Sequence, residues 1–169
     1  MRRALDTLYQ LAAVLAALCL VGLLGMVLLS IFSRQFGVHV RGTDAYAGYL
    51  MAAASFLALA HTLKRGEHIR VTLLLNGLPG PARRALEIWC LLAAGVLALL
   101  LAWYSCRLAW QSHEFNDIST GNDATPLWLP QLGMAVGSVV FALALLDELV
   151  LELLGRRQPA PDGEMLRNE

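Results

Sequence analysis

Charge is scarce in this sequence. Asp, Glu, Lys and Arg make up 15% of the 169 residues, against about 25% in a soluble domain, and that shortage excludes an ordinary water-facing surface. The charge that remains is balanced, thirteen cations against thirteen acids, so no basic excess exists to hold nucleic acid. Cysteine is scarce as well. Cys19, Cys90 and Cys106 lie in or at the ends of apolar stretches, and none forms a CxxC pair. That spacing excludes a disulfide framework and a zinc site, and leaves three small apolar side chains. No Walker loop, GxSxG, HExxH or GxGxxG occurs, and no nucleophile stands with a base. The chain is therefore not read as an enzyme.

What is abundant is apolar sequence, 57% of the chain. It falls into four runs without Asp, Glu, Lys or Arg: residues 8–33, 45–63, 88–106 and 127–146. A hydrocarbon core about 30 Å thick is crossed by about 20 helical residues. Backbone groups in lipid must pair within their own segment, which leaves helix as the form for separate runs of this length. The alternation of apolar and polar residues that marks barrel strands is missing. The expected fold is an all-α membrane protein of four transmembrane helices, at about 8–33, 45–63, 86–107 and 127–150. They form one membrane domain over residues 8–153, with a short terminus at 1–7 and a polar, Pro-containing tail at 154–169. Arg2 and Arg3 before the first run suggest a secretory signal, but the run is longer than the 7–15 residues of a signal and ends in Arg34. It reads as a retained helix.

Lys and Arg gather on the cytoplasmic side of membrane proteins. Ten of the thirteen precede the first run, lie between the second and third, or follow the fourth; Arg34, Arg41 and Arg107 lie opposite. Both termini are thus expected inside. The cytoplasmic loop contains an apolar stretch at 69–75, too short to span, which suits an amphipathic piece in the interface. Pro81 suits the first turn of the third helix, and Arg83 and Arg84 can reach lipid phosphates. Trp103, Tyr104, Trp110 and Trp128 fit an aromatic belt at the outer interface.

Ionisable groups deep in a membrane mark ion or proton pathways. The six nearest the runs, Arg34, Asp44, His61, Glu87, Arg107 and Asp147, all lie at run ends. No pathway confined to this chain is expected, and no cofactor. Gly133 and Gly137 form a GxxxG, and Ala45, Gly48, Ala52 and Ser55 recur at helical spacing. Such faces let helices approach closely, either within this chain or against another subunit. Two rival functions share these spans. An autonomous homo-oligomeric channel or exporter would want buried polar residues. A haem-binding membrane anchor would want histidines facing each other from two spans, whereas His39, His61, His68 and His113 lie near run ends.

The stretch Leu63-Lys64-Arg65-Gly66-Glu67-His68-Ile69-Arg70-Val71, with Leu78-Pro79 after it, resembles the loop after the second helix in the small, DctQ-like membrane subunit of tripartite ATP-independent periplasmic (TRAP) transporters. Arg34 closing the first helix and Pro126, Pro130, Gly133 and Gly137 at the start of the fourth are similar too. The family's paired acids at the start of the second helix are reduced here to Asp44 in Thr43-Asp44-Ala45-Tyr46. The resemblance implies a small permease subunit in a bacterial inner membrane. Its partners would be a large elevator subunit carrying the sodium and substrate sites, a periplasmic binding protein and phospholipid. The complex would take up an organic acid. Arg34, Arg41 and Arg107 outside, with Arg65, Arg70, Arg83 and Arg84 inside, would anchor the subunit. His68 and Arg70 would hold the inner loop to the large subunit or to lipid.

Overall fold

The first apolar run becomes a helix that starts well before it. In the computed structural model, which describes residues 2–38, 40–65, 80–121 and 123–155, α1 covers Arg2–Gln35, α2 Thr43–Lys64, α3 Gly80–Glu114 and α4 Trp128–Leu153. All four are long and apolar enough to cross a membrane. Beyond them the described residues hold one isolated antiparallel bridge, Ile118 to Pro126.

The charge-free runs located the helices but understated two of them. α3 has 35 residues, about 52 Å at 1.5 Å per residue, against a hydrocarbon core of about 30 Å. Hydropathy marks only the part that dissolves in lipid. The helix continues through Arg83, Arg84 and Glu87 at one end and Arg107 and Glu114 at the other, because these straight-chain residues are good helix formers. The stretch expected in the interface, 69–75, lies outside the described residues.

The helix ends follow their electrostatics. Arg34 lies in the last turn of α1 and Asp44 in the first turn of α2, each where the helix dipole favours its charge. Pro130 falls in the first turn of α4, where no backbone hydrogen bond is lost to it. Gly42 precedes α2 with φ 78°, and a Cβ there would stand 2.7 Å from that of Asp123. Glycine is required at that position on both counts.

Packing runs in the order α1, α2, α4, α3: α1 lies on α2, α2 on α4 and α4 on α3, with only a slight touch between α1 and α4. Among the described residues α1 and α3 share no packed interface. The helices form a curved row rather than a closed bundle. In its most apolar 18-residue window α4 is 39% buried, α2 and α3 22% each and α1 6%, so α4 is the most enclosed helix and α1 the least. The buried surface is built largely of alanine: Ala12 and Ala16 on α1, Ala54 and Ala60 on α2, Ala98 and Ala102 on α3, Ala142 and Ala144 on α4. Lipid supplies no hydrophobic drive between helices, so small residues that let backbones approach take that place.

The tightest approach is between α2 and α4. A Cβ on Gly137 would lie 2.5 Å from the carbonyl carbon of Phe56, and one on Gly133 2.8 Å from Ala53 Cβ. A substitution of Gly137→Val is expected to cost at least the roughly 1–3 kcal/mol of overpacking, because the clash is with backbone. It will lower the melting temperature in detergent, read by circular dichroism. Gly25→Ala, at a site with nothing within 4 Å, will leave the melting temperature unchanged or raised.

Candidate functional site

Polar side chains gather at the two ends of the row. At the end holding the α1–α2 link, the Ser30 hydroxyl donates to Asp44 at 3.1 Å, and the Arg34 guanidinium meets the same carboxylate at 3.4 Å. Both charged side chains are more than three-quarters exposed, so the ion pair contributes at most about 1 kcal/mol. Arg41 is exposed in the same link.

A second group at this end ties the α3–α4 loop to α2. Tyr49 donates to Asp123 at 3.1 Å, with Ser119 Oγ 3.0 Å from the phenol, and Ser119 donates to Asp123 at 2.8 Å. The Tyr46 phenol and the Thr125 hydroxyl lie 3.0 Å apart. The backbone closes the loop on itself, Ser119 N–H to Thr125 at 2.9 Å and Leu127 N–H to Asp117 at 2.9 Å. Desolvation works against the charge on Asp123, but hydrogen bonds from Ser119, Thr125, its own backbone and Tyr49 outweigh it and hold its pKa down at about 2.

At the other end Lys64 sits between α2 and α4. Its ammonium donates to Asp147 and, at 3.1 Å, to Glu148. The three side chains are 13–21% exposed. The Tyr9 ring of α1 lies 5.3 Å from the ammonium, within cation–π range, so one lysine joins three helices. The Tyr9 hydroxyl is buried without a hydrogen-bond partner among the described residues. Arg84 of α3 donates to the carbonyls of Glu152 and Leu153 at 3.4 and 3.3 Å, capping α4. Arg83 pairs with Glu87 one turn along, at 3.2 Å. Arg65 is exposed at the end of α2. His68 and Arg70 lie outside the described residues.

Each end of the row is thus a belt of polar ties, and no Asp, Glu, Lys or Arg occupies the four apolar runs between them. A family model described as tripartite ATP-independent periplasmic transporters, DctQ component, matches residues 23–155. The chain belongs to the DctQ family. That family is a transporter component and not an enzyme family, and with four spanning-length helices the chain is a multi-pass membrane protein. A comparison with curated proteins found no match. The DctQ match covers α2, α3 and α4 whole and α1 from residue 23. Both ends of the row therefore fall within it, except Tyr9 on the earlier part of α1.

Of the residues singled out from sequence, Arg34 and Asp44 are brought together, and Gly133 and Gly137 meet α2 of the same chain. Lys64, Asp147, Glu148 and Tyr9 were not recognised as a group. The signal existed: Lys64 closes the second run and Asp147-Glu148 the fourth, on one side of the expected topology. Tyr49 and Asp123 are 74 positions apart and carry no spacing signal.

Two tests follow from these ends. Lys64→Met removes the ammonium that Asp147 and Glu148 share in a partly buried site and is expected to cost about 2–3 kcal/mol. Lys64→Met with Asp147→Asn and Glu148→Gln will recover most of that loss in the same melting assay. For Asp123 the folded pKa lies below the usual 3.8, so its contribution is complete above about pH 4 and is lost as pH falls toward 2. Pepsin will cut within residues 115–127 slowly at pH 4 and readily at pH 2, and Asp123→Asn will abolish that difference.

Proposed function

We propose that this chain is the small permease subunit of a TRAP-type secondary transporter, acting as a fixed wall against which a large elevator subunit moves. The single observation that carries the reading is DctQ family membership over residues 23–155. The shape supports it. A chain with charge-free spans lacks the intramembrane groups that bind or relay ions, so sodium and substrate would sit in the large subunit. An open row presents wide apolar faces on α1 and α3, where a closed bundle of four helices would cover more of them. Leu18 and Val21 on α1 are 61% and 68% exposed, and Leu97 on α3 67%. Lipid or a larger membrane partner can cover such faces.

In this reading the membrane is a bacterial inner membrane and both termini face the cytoplasm, as the distribution of Lys and Arg favours. The Lys64 end is then inside. The Arg34 end, with the Asp123-clamped loop, faces a periplasmic binding protein that delivers an organic acid. Arg34, Arg41, Arg65, Arg83 and Arg84 line the two rims at the level of lipid headgroups, and His68 and Arg70 hold the inner loop to the large subunit or to lipid.

The test is uptake into proteoliposomes with a sodium gradient and the binding protein outside. The large subunit with this chain will transport, and the large subunit alone will fall at least tenfold. Full transport by the large subunit alone would overturn the proposal. His68→Ala is expected to reduce co-purification of the large subunit; unchanged recovery and unchanged uptake would remove that residue from the contact.

A further inference from the structure

From Leu91 to Ser112, α3 buries residues at alternating steps of four and three. That is the pattern of a helix packed along one seam, and the partner is α4. The two helices run antiparallel. Arg84 near the start of α3 reaches the end of α4, and His113 at the end of α3 meets Trp128 at the start of α4. Two of the buried α3 residues carry hydroxyls, Ser105 and Ser112, 3% and 2% exposed.

Ser105 fixes the register. Its hydroxyl oxygen lies 3.4 Å from that of Ser138 on α4, which is fully buried and also donates to the Met134 carbonyl at 2.6 Å. Seven residues further along α3 is Ser112, and seven residues back along α4 is Gln131. Seven residues are nearly two whole turns and about 10 Å of rise. In an antiparallel pair these two therefore occupy the next layer, on the same two faces.

The backbone of that layer has partners. The Ser112 carbonyl accepts from the Asp117 N–H at 3.0 Å, and the Gln131 N–H donates to Leu127 at 3.3 Å. The side chain does not: Gln131 Oε1 is buried and accepts no hydrogen bond from any described residue. A buried amide oxygen left unpaired is destabilising. Turning the amide over puts its nitrogen in that place, and a donor there needs a partner as well. Ser112 lies six residues beyond Cys106, where the charge-free run of α3 ends, hence about 9 Å toward the outer face. At that depth water is at hand, and a buried polar site with two or more partners holds it.

We propose that one buried water bridges Gln131 Oε1 and the Ser112 hydroxyl, and so ties the outer ends of α3 and α4 where the Asp123-clamped loop joins them. The site belongs to this chain alone and does not depend on the transport reading.

The test is a double-mutant cycle on the protein purified with the partners it retains, with the melting temperature as readout. Gln131→Met keeps the length of the side chain and removes the amide; Ser112→Ala removes the hydroxyl. Each will lower the melting temperature by about 2–4 °C, and the two together will lower it by less than the sum, because both act through one water. A Gln131→Met variant that melts at the same temperature or higher would mean a dry, unpaired amide, and additive losses would mean that the two groups share nothing. Either result overturns the proposal. A cryo-electron-microscopy map of the unsubstituted protein, sharp enough to show ordered water, keeps the test independent of how the variants fold. It will show a peak about 2.7–3.1 Å from both Gln131 and Ser112. No peak, or a direct bond between the two side chains, overturns the proposal.

Discussion

The rest of the structure depends on how closely α2 and α4 approach. At Gly133 and Gly137 the α4 backbone comes so near Ala53 and Phe56 that no side chain fits between. In water such a seam would be reinforced by the expulsion of solvent from apolar faces. In lipid that drive is missing, and dispersion between surfaces in close contact must supply the attraction. Alanine and glycine make that contact possible. Once α2 and α4 are joined, α1 packs on α2 with a slight touch on α4, α3 packs on α4, and the four helices form a row.

Charge acts at the rims of this row and nowhere within its charge-free spans. Lys64 draws Asp147, Glu148 and the Tyr9 ring together where α1, α2 and α4 meet. Arg84 fastens the start of α3 to the end of α4. Asp123 fastens the opposite loop to α2 through Tyr49. These ties sit where both partners can keep some hydration, so they fix the relative position of helices without the full desolvation penalty of a buried charge. The proposed role of a fixed wall would be served by this division: a dry seam at mid-depth and polar fasteners at both faces.

Much of this was legible in the sequence, for a physical reason. Lipid admits so few backbone solutions that four uncharged runs of spanning length mean four helices. Arg34 and Asp44 were recognisable as run ends, and the loop motif around Arg65-Gly66-Glu67-His68 carried the family. The GxxxG of Gly133 and Gly137 was visible as a close-packing face, but its partner was not, since a small-residue face fits any other. Helix ends were set too short because hydropathy reports solubility in lipid and not the hydrogen bonding that carries α3 on to Glu114. The Asp123 clamp was hidden because it depends on where a loop lands, and nothing local to Tyr49 or Asp123 records that.

The most direct test of the account is the distance between α1 and α3, the two outer helices. Spin labels at the exposed positions Val21 and Leu97, with Cys19, Cys90 and Cys106 replaced by Ser, can be measured by pulsed electron resonance in lipid nanodiscs. A row places the two axes about two helix spacings apart or more, beyond roughly 18 Å. A separation of about 10 Å, the spacing of packed neighbours, would mean a closed bundle and would contradict the account.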